Sequence, residues 1–226
     1  MQVDLKVVQL LSSRLCHDLV GPAGAVHNGI ELFEEMGPGE GVGALKVVAT
    51  SGEQLLARLS FFRMAFGLGG LSGKTPPLAE ARDLAQAFLE GGRITLNWPL
   101  EIGANMVQTI SGPAVKLLLN VILVAIDVLP RGGVLTISLV NLDNPQDELA
   151  IGMAVKASGP GAYLKKDLQL ALSSKSLSQT EQGLSAHNIH GFFCQRLAEE
   201  QLSKIEFCMV QDEVQFSVLV PQRVEC

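Results

Sequence analysis

Two stripes of apolar residues at helical spacing run through the first 66 residues and constrain the fold more than any other feature. The first stripe advances by 3, 4, 4, 3, 4, 4 and 3 residues, through Val8, Leu11, Leu15, Leu19, Pro22, Val26, Ile30 and Phe33. Glycine and proline at 37–41 predict a turn, and a second stripe follows at Leu45, Val48, Leu55, Leu59, Phe62 and Phe66. Because such a hairpin buries little surface alone, we expect an intermolecular four-helix bundle with a second copy of the chain. Leu15→Asp or Phe62→Asp is expected to dissociate that homodimer.

The pattern of apolar residues changes after a glycine-rich linker at 67–73. Beyond it, helical patterns are predicted at 76–89, 111–128 and 186–200, and strand patterns at 93–98, 135–139, 149–155, 204–210 and 214–220. The sequence therefore predicts an α+β protein with two domains. Residues 1–68 form the helical hairpin, and residues 75–226 form an α/β sandwich with mixed strands in one layer and helices in the other.

The composition excludes several classes of protein. With 17 basic and 23 acidic side chains, the net charge of −6 argues against a nucleic-acid partner. The longest apolar run, 114–129, is interrupted by Lys116, Asn120 and Asp127 and is shorter than the ~20 apolar residues of a membrane span. The N-terminus lacks the features of a signal peptide, and four scattered cysteines predict free thiols in a reducing compartment. We expect a cytoplasmic protein that does not enter a membrane.

The sharpest chemical signal is the hexapeptide HDLVGP, from His17 to Pro22. His17 is two residues from both Leu15 and Leu19, so on a helix of about 3.6 residues per turn it points away from the apolar stripe. Small helical neighbours leave room for another protein to approach, and Pro22 should kink the helix just beyond the histidine. An exposed histidine beside an ordinary proline kink remains the alternative.

This hexapeptide resembles the phosphoacceptor box H-[DE]-L-x-x-P of two-component histidine kinases, whose hairpin precedes an ATP-binding α/β sandwich. The second half of the chain resembles that sandwich in degenerate form. Asn120 matches the kinase N box, E-x-x-x-N-x-x-x-N-A, but Lys116 replaces its carboxylate and Val124 its magnesium-binding asparagine. Ala157 replaces the aspartate of D-x-G-x-G, whose two glycines remain as Gly159 and Gly161. The segment 182–186 retains one glycine of a phosphate-binding run. The chain is therefore not expected to bind or hydrolyse ATP.

A complete acceptor box beside a degenerate nucleotide site resembles the ChpT-type histidine phosphotransferases of alphaproteobacteria, over essentially the whole chain. The resemblance implies a phosphorelay in which His17 takes a phosphoryl group from the receiver domain of a CckA-like hybrid kinase. His17 then passes it to CtrA-like or CpdR-like response regulators. It also implies that Asp18 orients the imidazole and that the receiver supplies Mg²⁺, so that the chain needs no cofactor or metal of its own.

Several alternatives stay open at the level of sequence. Asp18 could be a solvated helix carboxylate, and Arg14 could either offset phosphoryl charge or form a surface or hairpin salt bridge. Gly21 stands where many kinases have a residue that positions a hydrolytic water, which puts phosphatase activity in doubt.

A metal site, a cysteine nucleophile and two other functions are also possible on the sequence. His187, His190 and Cys194 are three and four residues apart, a spacing that fits a metal site or ordinary surface and half-buried positions. Cys16 adjoins His17 without an orienting third group. As alternatives for the whole chain, it could be a receiver-binding scaffold without phosphotransfer or a residual ATP-dependent histidine kinase.

Overall fold

A computed structural model describes residues 5–67, 78–99, 110–143, 149–173 and 183–221. The chain begins with two long helices, α1 (Leu5–Glu40) and α2 (Val42–Phe66), so the helical hairpin is confirmed. Helix α1 continues through Pro22, and its backbone leaves helical angles at Gly37, where φ is 74°. Glycine adopts this left-handed conformation without steric cost. The chain therefore turns at Gly37 as expected, whereas Pro22 does not interrupt the helix.

The second half alternates helices and strands. The elements are α3 (Leu78–Leu89), β1 (Ile94–Asn97), α4 (Gly112–Asp127), β2 (Gly133–Asp143), β3 (Leu149–Ser158), α5 (Lys166–Ser173), α6 (Ile189–Glu200), β4 (Ile205–Val210) and β5 (Glu213–Pro221). Ser111 caps α4 by accepting a hydrogen bond from the backbone nitrogen of Ala114 at 3.3 Å. The sequence did not predict α5, because eight residues carry too few apolar positions to establish a helical period.

The five strands form one mixed sheet in the order β1-β2-β3-β5-β4. Strand β1 is parallel to β2, and the other pairs are antiparallel. In the register, Leu135 lies opposite Ala157 and Val155 lies opposite Phe216, and all four side chains are buried. Because side chains alternate between the two faces of a strand, one face of the sheet is the core face. The α+β prediction is therefore confirmed.

Helix α4 is the central element of the core. Eleven of its 16 residues are buried, as expected of a largely apolar helix inside a core. It contacts β3 and β5 of the sheet as well as α2 and α6. The apolar run at 114–129 is therefore a core helix rather than a membrane segment. No described helix of the chain has the length and apolar character to cross a membrane.

The hairpin shares this core with the sandwich. Phe61 and Phe62 of α2 are buried in it, and the rings of Phe61 and Phe88 are 4.6 Å apart between centroids. Leu15 and Leu19 of α1 pack against the same cluster. Phe62 is therefore part of the chain's own core, and its interpretation as a contact to a second copy is wrong. Leu15 is half-buried and packs on the same core. Part of each apolar stripe covers the chain's own sandwich, so Phe62→Asp should disrupt folding of the chain itself.

The proposed division into residues 1–68 and 75–226 stays a prediction, because most of the linker at 67–73 lies outside the described residues. Three of the four cysteines are described, and Cys16, Cys194 and Cys208 are free thiols.

Candidate functional site

Helix α1 presents His17 to solvent. The His17 side chain is 85% exposed. One turn further on, apart from the backbone of α1 itself, no atom of the described residues lies within 4 Å of the position that a Cβ on Gly21 would occupy. The outward orientation that the stripe predicts for His17 is confirmed. The imidazole stands on open surface beside a residue too small to obstruct an approaching protein.

Asp18 contacts the imidazole although it is the next residue in the sequence. Its Oδ1 lies 3.2 Å from Nδ1 of His17. A neutral imidazole that donates from Nδ1 keeps its lone pair on Nε2, the nitrogen on the other side of the ring. Helical spacing alone does not predict this contact, because adjacent residues diverge around the helix. The short Asp18 side chain reaches the near nitrogen nonetheless.

Arg14 lies one helical turn before His17 and joins two carboxylates. Its Nε donates to Oδ2 of Asp18 at 3.3 Å, and its Nη2 donates to Oδ1 of Asp127 at 2.6 Å. Burial acts to lower the pKa of Arg14, but Asp127 and Asp18 outweigh burial and raise that pKa. Of the two roles that the sequence left open for Arg14, the geometry favours the salt bridge, because both carboxylates already share its charge.

Asp127 is the residue of this site that sequence reasoning missed. It is the last residue of α4, and its Oδ2 is buried without a hydrogen-bond partner among the described residues. Burial raises the pKa of Asp127, while the neighbouring Arg14 acts to lower it. A signal was present in the sequence: a lone acid ends an apolar helix, where the helix dipole disfavours negative charge.

A small cavity opens beside the Arg14–Asp127 pair. Its volume is about 80 Å³, and its lining comprises Arg14, Asp127, Tyr163, Lys165, Asp167, Leu168 and His187. These residues come from α1, from the end of α4, and from segments around α5 and before α6. The hairpin and the sandwich therefore meet next to His17.

The positions that match the kinase nucleotide site are used for packing. Val124 and Ala157 are buried, and so is Asn120. The Asn120 amide donates to the carbonyl of Ala65 at 2.7 Å and to that of Lys116 at 2.8 Å. The residue that survives from the N box thus fixes the end of α2 to α4.

The two glycines that survive from D-x-G-x-G have backbone roles. A Cβ on Gly159 would lie 2.4 Å from the carbonyl oxygen of Gly132, closer than any side chain could stand. Gly161 has φ +75°, the left-handed region that favours glycine. Their retention is explained by the turn after β3.

His190 is a buried structural residue. Its Nε2 lies 2.9 Å from Oδ1 of Asn120, and its ring packs on Phe66 with 5.5 Å between centroids. Burial lowers the pKa of His190 to about 3, with Arg14 adding to the decrease and Asp18 opposing it. The neutral ring therefore connects α6 to α4 and α2.

Acid is expected to destabilise the protein through His190. Its ordinary pKa is 6.5 and its folded pKa is about 3. Between these values the unfolded chain binds a proton that the folded chain does not, so stability falls as the pH decreases. The expected loss in unfolding free energy from pH 7 to pH 5 is about 2 kcal/mol. Urea unfolding at both pH values measures it. The His190→Gln variant should lack this component, and identical pH dependence in the two proteins would contradict the assignment.

The spacing of His187, His190 and Cys194 does not correspond to a metal site. His187 is exposed and precedes α6, whereas His190 is bonded to Asn120. Burial, with a smaller contribution from Asp127, raises the pKa of Cys194 well above its ordinary value, so its thiol stays protonated. Among the described residues, no group of histidine, cysteine, aspartate and glutamate side chains could hold a metal ion.

Comparison with known proteins defines the class of this chain first. Residues 78–213, more than half of the chain, match the family model of the histidine phosphotransferase C-terminal domain. The chain also has a helical hairpin with an exposed histidine on its first helix, followed by a mixed sandwich. Together with the family match, these features place the chain among the phosphotransferases.

Individual relatives narrow the assignment from the class of phosphotransferases to one type within it. Protein phosphotransferase ChpT of Brucella abortus (strain 2308) is 32% identical over 209 residues, which are 92% of this chain and 92% of that protein. A bacterial phosphotransferase solved at 1.7 Å is 26% identical, with a TM-score of 0.75 over 96% of this chain and 98% of the other.

The chain belongs to the histidine phosphotransferase family and is of the ChpT type, as the sequence resemblance indicated. Its activity is phosphotransfer in a phosphorelay. The two alternatives, a scaffold without transfer and a residual kinase, are not favoured.

Proposed function

We propose that His17 is the residue of this phosphotransferase that carries the phosphoryl group. The supporting observation is an exposed imidazole whose Nδ1 lies 3.2 Å from Oδ1 of Asp18. In this arrangement Asp18 accepts a hydrogen bond from Nδ1–H of His17, orients the ring and leaves the Nε2 lone pair for in-line attack on phosphorus. Asp18 then also stabilises the positive charge that the ring acquires on phosphorylation.

The relay consists of two transfers. In the first, the P–O bond of an aspartyl phosphate on a donor receiver breaks as Nε2 of His17 forms the P–N bond. In the second, the P–N bond breaks as an aspartate of an acceptor receiver attacks phosphorus. The acidic pocket of the receiver holds the Mg²⁺ that neutralises phosphoryl oxygens, so this chain contributes the histidine and a docking surface and needs no cofactor of its own.

The partners are a histidine kinase on one side of the relay and a response regulator on the other. By its likeness to the ChpT type, the donor is the receiver domain of a CckA-like hybrid kinase, and the acceptors are CtrA-like and CpdR-like regulators. The exchange takes place in the cytoplasm, which suits the free thiols at Cys16 and Cys208.

The hairpin pairs with a second copy of the chain as a four-helix bundle. The support is a row of residues on α2 that are exposed in the single chain, except for the half-buried Gly52. This row, here named the α2 seam, consists of Val42, Leu45, Ala49, Gly52, Leu56 and Leu59. The seam advances by 3, 4, 3, 4 and 3 residues, the spacing of helices that pack side by side in a supercoil. Val42 is 64% exposed and Leu56 is 66% exposed.

Mapping the phosphorylated residue tests the proposal directly. The chain is incubated with a phosphorylated receiver domain and Mg²⁺, digested under non-acidic conditions and analysed by mass spectrometry. The phosphoryl group is expected on the peptide containing His17, with the lability to acid and stability to alkali of phosphohistidine. A phosphoryl group on any other residue, or none in a sample whose receiver has lost its own, would overturn the assignment.

ATP is expected not to bind. Lys116 and Val124 supply no oxygen ligand for Mg²⁺, and Ala157 supplies no carboxylate for the adenine amine. Calorimetric titration with Mg-ATP to millimolar concentration should give only heats of dilution. Saturable binding at micromolar concentration would instead indicate a functional nucleotide site.

A further inference from the structure

Three successive contacts between charged or polar side chains connect the sandwich to His17. Asp127 at the end of α4 accepts a hydrogen bond from Arg14 at 2.6 Å, Arg14 donates to Oδ2 of Asp18 at 3.3 Å, and Oδ1 of Asp18 lies 3.2 Å from Nδ1 of His17. Arg14 and Asp127 are 113 residues apart in sequence, so only the folded chain brings them together. Each carboxylate oxygen of Asp18 is engaged, one by Arg14 and one by His17.

We propose that Asp127 is a positioning residue for phosphotransfer, which holds Arg14 so that Asp18 keeps one oxygen on the imidazole. The proposal rests on the proposed role of His17. Asp127 does not touch the reacting atoms and acts only through Arg14 and Asp18.

Without Asp127, Arg14 would be free to bind Asp18 in a different geometry. A guanidinium and a carboxylate form their strongest pair when two parallel hydrogen bonds join them. Arg14 engages Asp18 through Nε alone, while its Nη2 is held by Asp127 at the shorter distance. Released from Asp127, Arg14 can turn both donors toward Asp18 and take the oxygen that now faces His17. The ring then loses the acceptor that keeps its proton on Nδ1.

The placement of Asp127 is unfavourable for local stability. A carboxylate at the C-terminus of a helix adds to the negative end of the helix dipole. Its Oδ2 is buried without a hydrogen-bond partner among the described residues, and burial acts to raise its pKa. The charges acting on it are those of Arg14, Asp18 and Lys165. Asp127 therefore destabilises its own helix, while its hydrogen bond from Arg14 reaches the turn before His17. A role in the site explains this placement better than a role in the helix.

The test compares Asp127→Asn, Arg14→Gln and the double variant with the full-length protein. Transfer from a phosphorylated receiver is followed at several receiver concentrations. Asp127→Asn keeps the shape of the side chain and should lower the maximal rate by about 10- to 100-fold, the scale expected when a reacting group is misplaced. The KM for the receiver should change less than about twofold, since only 21% of the Asp127 side chain is exposed and its contact is with Arg14. Asp127→Asn removes the charge that holds Arg14, and Arg14→Gln removes the guanidinium. Because both substitutions act on the same contacts, the double variant should be no slower than the slower single variant.

A second measurement reports the tautomer of the His17 ring. In protein labelled with ¹⁵N-histidine, the ring of His17 should populate mainly the tautomer with the proton on Nδ1, and Asp127→Asn should shift it toward a mixture. The chain has four histidines, and the ring signals of His17 are identified by their absence from a His17→Gln sample. Glu213→Gln is the matched control, because it removes a 3.3 Å ion pair with Lys156 on the sheet and should change neither rate nor tautomer.

The outcomes separate the two proposals. An unchanged maximal rate and tautomer in Asp127→Asn would overturn the positioning role, even where phosphate is found on His17. A rise in KM at constant maximal rate would overturn it in favour of receiver docking. A lower rate with an unchanged tautomer would show a merely structural effect. Absence of phosphate from His17 in the unsubstituted protein would overturn the proposed function, whereas the tautomer measurement needs no phosphoryl group and still reports on Asp127.

Discussion

A His17→Ala variant is expected to accept no detectable phosphoryl group from a phosphorylated receiver. The proposed transfer forms a P–N bond to the imidazole, and alanine offers no nucleophile in its place. The fold should survive the substitution, because the His17 side chain is 85% exposed and its described side-chain contact is with Asp18. Radiolabelled receiver phosphate, followed over time by gel electrophoresis, measures the loss. Circular dichroism and sedimentation check that the variant stays folded and keeps its oligomeric state.

His27 provides the matched control for this variant. It lies on the same helix, its side chain is 72% exposed, and Glu31 stands one turn further on with 3.4 Å between Nε2 and Oε1. His27→Ala should transfer at the rate of the unsubstituted protein. If His17→Ala retained the label while His27→Ala lost it, the phosphoryl group would belong to the second histidine, and the sequence motif would have been misleading.

The fold of this chain was largely predictable because its elements carry local signals. The stripes of α1 and α2 repeat over many turns, and Ser111 and Pro113 mark the start of α4. The alternation in β2 and β5 identifies half-buried strands. Helix α5 was not predicted, because its eight residues span too few turns for a helical period to be recognised. The division of each stripe into residues that pack on the chain's own sandwich and residues that stay exposed was also beyond prediction, because it depends on how distant elements pack.

The candidate site was predictable in part. The motif identified His17 and Asp18, and helical periodicity gave the outward orientation of the imidazole. The link from Arg14 to Asp127 could not be predicted, since it depends on where α4 ends relative to α1 in the folded chain. The roles of Asn120 and His190 were equally inaccessible, because their hydrogen bond joins helices 70 residues apart in sequence. The reacting residues could be identified from a local motif, whereas the residues that hold them in place are brought together only by tertiary packing.

Leu56→Asp is expected to convert the proposed homodimer into folded monomers. Leu56 lies in the α2 seam, is 66% exposed in the single chain and would be covered by the second copy. Covering a leucine contributes about 1.5–3 kcal/mol, and the substitution occurs twice in a symmetric dimer. An enclosed carboxylate without a partner adds a further penalty. The dimer dissociation constant should therefore rise at least about 100-fold, which corresponds to roughly 2.7 kcal/mol. Sedimentation velocity across a micromolar concentration series measures the change.

Two further variants decide what the loss of the dimer means. Leu219→Asp changes an equally apolar residue, 53% exposed on β5, and should leave the dimer intact. Phe62→Asp, by contrast, enters the core shared by α2 and the sandwich and should unfold the chain rather than yield a folded monomer. A Leu56→Asp protein that sediments as the dimer would show that the second copy does not cover the α2 seam. Because His17 lies on α1 and is exposed in the single chain, a folded monomer also shows whether phosphotransfer needs the second copy at all.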